Sequence, residues 1–149
     1  MRGRLAGLSA MALGGALAVL PAFPWYSAPH GEAVARASGF SGAGQLLLMP
    51  AIGALAVLAG AALAAPRPGR RPSPAPWAGP LATASGVLAL SFSVWAASRP
   101  SLELSAALPG GAQTLPAQID LEPAALLSVA LAAALAALGA AVTWTARRR

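Results

Sequence analysis

The stretch "QLLLMPAIGALAVLAGAALAA", residues 45–65, runs for 21 residues without an ionisable side chain. As a helix it would be about 30 Å long, the thickness of a bilayer's hydrocarbon core. It also lacks the polar stripe that a helix on a soluble domain turns toward water. The run therefore reads as a membrane span. Pro50 lies near its start. A missing N–H and a clash with the preceding turn predict a kink at about residues 46–49. If the regular helix instead began at Pro50, residues 51–65 alone would be short for a crossing, so a kinked span is expected.

Three more runs share this character, at residues 5–23, 79–98 and 123–146, and none of them contains an ionisable residue. The whole chain fits the pattern. Of its 149 residues 57% are hydrophobic and 9% charged, where a soluble domain carries about 25% charged residues. The expected fold is all-α: a single integral membrane four-helix bundle. Residues 24–44 and 99–122 would form outer loops, and residues 66–78 a cytoplasmic loop.

Charge sets the expected orientation. All ten basic residues are arginines, because the chain has no lysine. Arg2 and Arg4 precede the first run, Arg67, Arg70 and Arg71 separate the second from the third, and Arg147, Arg148 and Arg149 follow the fourth. In a four-span hairpin topology those eight share one side with no acid. The other side holds Arg36 and Arg99 with Glu32, Glu103, Asp120 and Glu122. The positive-inside rule then puts both termini in the cytoplasm. Short arginine clusters between apolar runs suit topology and not a phosphate-binding face, so no nucleic-acid partner is expected in spite of the net charge of +6. The absence of lysine and asparagine, with abundant Ala, Gly, Pro and Arg, points to a high-GC bacterial genome, and so to the bacterial plasma membrane.

Aromatic residues mark the span ends. Trp25, Trp77, Trp95 and Trp144 each fall at an expected boundary, the depth that suits an indole. Phe23, Trp25 and Tyr26 are expected to anchor the outer end of the first span, with Pro24 stopping the helix among them. Ahead of the fourth span, Asp120 is placed to cap the helix, with Glu122 in its first turn and Pro123 just inside. The segment "PRPGRRPSPAPW", residues 66–77, holds five prolines and reads as an extended connector. The "AVA" at 33–35 and "ARA" at 35–37 resemble signal-peptidase sites, but they lie well past the end of the first run, which is long enough to span. Retention of that run is expected.

Chemistry is sparse. With no cysteine, one histidine and four acids, the chain lacks the groups from which nucleophilic or metal sites are assembled. His30 and Glu32 form the only local pair, too few for a typical zinc site, so no cofactor or metal is expected. Ser9, Ser85, Ser91, Ser93 and Ser128 have no nearby base; such residues bond back to the previous turn or to a neighbouring helix. Small residues four apart (Ala10, Gly14 and Ala18; Ala56, Gly60 and Ala64; Ala82 and Gly86) permit close helix contact. Gly53 and Gly60, one heptad apart, are the more specific signal.

Two segments carry a resemblance. "LPAFPWYS" closing the first run and "ASGFSGAGQLLLMPAIGALAVLAG" opening the second resemble small four-span actinobacterial membrane proteins, in particular the tryptophan-operon-associated membrane protein family. The matching positions are Pro24, Trp25, Ser38, Gly39 and Leu46, Leu47 and Leu48. The resemblance covers about the first 65 residues and implies architecture and origin, not an activity.

The sequence thus predicts a non-enzymatic inner-membrane protein acting as an accessory or scaffold subunit. Its partners would be the lipid bilayer and either another membrane protein or further copies of itself. The second reading is a small-solute transporter or channel working as an oligomer, motivated by Pro50 and an aromatic outer mouth. A binding module built on residues 98–123 ranks third.

Overall fold

A computed structural model of the chain describes residues 2–30, 33–42, 44–65, 75–98 and 120–148. Four long helices occupy the four apolar runs: α1 (Arg2–Val19), α3 (Met49–Ala64), α4 (Ala78–Ser98) and α5 (Pro123–Arg147). With the 3₁₀ turns Leu20–Ala22 and Gly44–Leu48 that flank α1 and α3, each is long and apolar enough to cross a membrane. A short helix, α2 (Gly39–Gly42), precedes the second 3₁₀ turn.

The helices alternate in direction and pack as two tight pairs, α1 on α3 and α4 on α5, joined by the looser α3–α4 and α1–α5 seams. Their buried faces are mostly small, with Ala10 and Gly14 on α1, Gly53, Ala56 and Gly60 on α3, Ala82, Gly86 and Ala89 on α4, and Ala125, Ala132 and Gly139 on α5, joined by the larger Leu17, Met49, Ile52, Leu63 and Leu135. Their outward faces are large and apolar, with Leu5, Leu8, Leu55, Leu58, Val87, Leu88, Leu126 and Leu127 exposed. A protein folding in water does the reverse, putting its large apolar side chains inside. In lipid, burying Leu gains little, whereas small residues let backbones approach and gain dispersion contacts.

The fold is mostly helical, but not wholly so. A three-stranded antiparallel sheet of order β2-β1-β3 caps one end, formed by β1 (Pro24–His30), β2 (Ala33–Ser38) and β3 (Asp120–Leu121). The expected outer loop 24–44 is therefore a hairpin followed by α2. Pro24 opens β1, where a missing N–H does least harm, and Pro29 lies beyond the two residues, Tyr26 and Ser27, that pair with β3.

Two local expectations change as well. Pro50 does not kink a continuous α-helix: α3 begins at Met49, so Pro50 sits in the first turn, where its N–H would have had no helical partner. The residues ahead of it run as 3₁₀ turns that extend the helical path to Gly44. Asp120 does not cap α5 but pairs in β3, and Glu122 is the residue at the N-cap, in extended backbone and without a side-chain cap bond. The β1–β3 pairing holds the chain extended up to Glu122, whose N–H donates to the Trp25 carbonyl at 2.9 Å. Pro123 stands just inside the helix.

Arg4 and Arg147 lie at the opposite end from the sheet. There Leu63 of α3, Ala78 of α4 and Val142 of α5 pack together, and α1 begins beside Leu63. Arg67, Arg70, Arg71, Arg99, Glu103, Glu32 and Arg149 lie outside the described residues, as do the side chains of Arg2 and His30.

Candidate functional site

The sheet end is the most elaborately built part of the molecule. The β1–β2 register slips between Pro24 and Tyr26, so Trp25 is an extra residue in a bulge. Successive side chains of a regular strand point to opposite faces, but a bulge re-aims them. Here both neighbours turn inward: Trp25 is 0% exposed and Tyr26 1%. The Trp25 indole N–H donates to the Leu20 carbonyl at 2.9 Å, and the Tyr26 hydroxyl donates to the Ala96 carbonyl of α4 at 3.1 Å. The rings are tilted against each other, 6.5 Å between centroids. Trp25 and Tyr26 are thus interior residues and not lipid-facing anchors, because each polar tip finds a carbonyl within the bundle end. Phe23 alone of the three turns its ring outward.

Tyr26 ties the two helix pairs together. It follows α1, and the oxygen it bonds belongs to the last turn of α4. Burial raises its pKa above the ordinary phenol value of 10.0, since ionisation would strand a phenolate away from water.

The hairpin returns to the bundle through a small cap. Ser38 Oγ accepts the N–H of Ser41 at 3.3 Å, and the two hydroxyls lie 3.1 Å apart. This N-terminal capping starts α2. Gly39 follows, and a Cβ there would meet Pro21 Cα at 3.2 Å and Leu46 Cδ1 at 3.0 Å. On the outer surface of the sheet, Arg36 Nε stands 3.7 Å from Glu122 Oε1. That pair joins β2 to the start of α5. It is partly exposed, so its worth is at most about 1 kcal/mol.

Apart from Ser9 on α1, the hydroxyls of the four long helices lie on α4 and α5. Ser93 and Ser128 share a buried hydrogen bond of 2.9 Å between the helices. Ser91 bonds back to Val87 at 2.9 Å, and Thr83 and Thr143 bond back to Gly79 and Gly139 at 3.0 and 2.8 Å. Ser85 Oγ is buried with no partner among the described residues. Ser9 faces outward on α1.

Trp77, Trp95 and Trp144 all show outward rings near helix ends. Trp77 and Trp144 are at the arginine end and Trp95 at the sheet end. Arg148 lies over the Trp144 ring, 4.6 Å from its centroid. Among the described residues no group of three His, Asp or Glu side chains comes together to hold a metal ion.

Sequence reading missed the interior destinations of Trp25 and Tyr26 and the capping role of Ser38. Glycine and serine beside an aromatic hairpin was the available signal, and it marked the right segment without its geometry. The fold and the sheet end together define a sheet-capped bundle of four helices suited by length and composition to a bilayer. No family model matches the chain, and neither a curated protein nor a solved structure matches it.

Proposed function

We propose that this is a multi-pass plasma-membrane protein with both termini in the cytoplasm, acting as a non-enzymatic accessory or scaffold subunit of a membrane assembly. The observation that carries the reading is the apolar exterior, with Leu, Val and Trp exposed along all four long helices while mostly Ala, Gly and Ser line the helix contacts. That exterior, in water, would be an apolar patch far larger than monomeric soluble proteins tolerate. The outward rings of Trp95 at one end and Trp77 and Trp144 at the other add support, because indoles favour the two membrane–water interfaces. Arg4, Arg147 and Arg148 at the latter end favour the cytoplasmic assignment.

The scaffold reading draws on packing. Trp25, Tyr26, Leu46 and Met49 are fully buried at the sheet end, so a single bundle is stoppered there. Between the two readings the scaffold is preferred, because Pro50 lies in a first turn and Trp25 and Tyr26 of the expected aromatic mouth are buried. Kinship with the tryptophan-operon-associated family is proposed on the same footing. Pro24 and Trp25 with Ser38 and Gly39 build one cap, which gives a physical reason for such residues to occur together.

The chain has no native cysteine, so single cysteines report topology cleanly. Membrane-impermeant maleimide on intact cells should label Ser41→Cys at the sheet end and should reach Thr145→Cys only after lysis. External labelling of Thr145→Cys would overturn the orientation. Co-purification of a stoichiometric membrane partner in mild detergent supports the scaffold role; a solitary chain that conducts solute in proteoliposomes would replace it.

A further inference from the structure

At the arginine end, a groove of about 300 Å³ opens between the start of α4 and the end of α5. Pro76, Gly79 and Pro80 line one side and Val142, Ala146 and Arg147 the other. Gly79 shapes the floor: a Cβ there would meet Thr143 Oγ1 at 2.7 Å. Among the described residues Arg147 is the only charged one in the lining. The neighbouring Arg148 is engaged with the Trp144 ring, and the two described acids, Asp120 and Glu122, are at the other end of the bundle. The volume is at the lower limit for small-molecule sites.

We propose that this groove binds an anionic phospholipid from the cytoplasmic leaflet, its phosphate on the Arg147 guanidinium and the first part of an acyl chain along the apolar floor. The inference rests on the membrane-spanning reading above. Charge complementarity selects the class. A guanidinium offers two parallel N–H donors to a phosphate, while prolines, valine and alanine offer a free inorganic anion nothing. An amphipathic anion satisfies both halves of the groove. Outward Trp77 and Trp144 at the same end set it at headgroup depth.

The test uses the full-length protein, first shown to stay in the pellet after carbonate extraction. Loss to the supernatant there refutes the membrane reading itself, separately from the lipid site. Native mass spectrometry then compares retained phosphatidylglycerol with retained phosphatidylcholine. Phosphatidylglycerol should be preferred, and Arg147→Gln should lower its retention about fivefold, the effect of one basic side chain near an anionic surface. Arg148→Gln should leave retention largely unchanged. Ala146→Phe, which fills the groove at an exposed position without altering charge, should displace the lipid. Equal retention of the two lipids, a preference that survives both Arg147→Gln and Ala146→Phe, or full competition by inorganic phosphate would overturn the proposal.

Discussion

The two helix pairs use one packing device and differ in what they add to it. In α1–α3, glycines face each other. A Cβ at Gly14 would meet the Gly53 carbonyl at 2.7 Å, and one at Gly53 would meet the Gly14 carbonyl at 2.5 Å; Gly7 and Gly60 repeat the arrangement one heptad away, at 2.6 Å in both directions. Among the described residues no side-chain hydroxyl hydrogen-bonds across that interface, and the pair is held by shape. In α4–α5, glycine faces a larger partner: Gly86 lies against the Ala136 backbone and Gly139 against Thr83. There Ser93 and Ser128 add a hydrogen bond between the helices. On the membrane-spanning reading proposed above, where burying apolar surface between helices gains little, one pair is held by shape alone and the other combines shape with a polar bond.

The largest expected effect lies in the pair held by shape. Gly53→Ala forces a methyl onto backbone that cannot swing aside and should destabilise by about 1–3 kcal/mol, as overpacking does. Gly15→Ala on the same α1, with open space around its Cβ, should instead stabilise by about 0.5–1 kcal/mol through helix propensity. Denaturation in mixed micelles measures both, and equal effects at the two positions would dissolve the distinction.

Tyr26 stitches one pair to the other, and Tyr26→Phe should cost about 1 kcal/mol, the usual net worth of such a bond. The phenol also gives a pH signature. Its folded pKa is raised, so the unfolded chain loses the proton first. Its contribution is complete below the ordinary value of 10.0 and declines as pH rises above that value. An alkaline stability titration should show that decline in the native chain, and Tyr26→Phe should remove its share.

Smaller still is the polar bond of the second pair. A double-mutant cycle on Ser93→Ala and Ser128→Ala should give a coupling of about 0.6 kcal/mol, the average for hydrogen bonds between membrane helices. A coupling near zero would leave shape as the whole account of both pairs. Smallest is Ser85→Ala, which removes a buried hydroxyl without a partner and should be neutral or slightly stabilising.

The four helices were legible because hydropathy over some 20 residues is a strong signal, and the span limits read from the sequence lie within a few residues of the helix ends. Gly53 and Gly60 were legible as a packing face, but their partners were not, since a heptad spacing states which face approaches and not what it meets. The cap was misread for a different reason. An aromatic at a helix end reads as an interfacial anchor, and what overrules that reading for Tyr26 is a carbonyl 70 residues away, at Ala96. Strand β1 was hidden by its two prolines, and β3 is only two residues long, too short to leave a pattern. Pro50 was read as a kink within a continuous span, whereas α3 begins at Met49 and places it in the first turn. At the arginine end, Arg147 was read purely as a topology marker, because a groove formed with residues of α4 cannot be seen along one strand of sequence.

The mutual glycines of α1 and α3 carry one more implication. On the side where each missing Cβ would stand there is a Cα hydrogen, and the carbonyl oxygen of the opposing glycine lies 2.5–2.7 Å from that Cβ position. Gly7 with Gly60 and Gly14 with Gly53 are therefore expected to form two reciprocal sets of Cα–H···O contacts, each worth about 0.5–1 kcal/mol. Backbone atoms that ordinarily take no part in bonding become the adhesive of the pair. Their signature is a downfield shift of those Hα resonances, absent at Gly15.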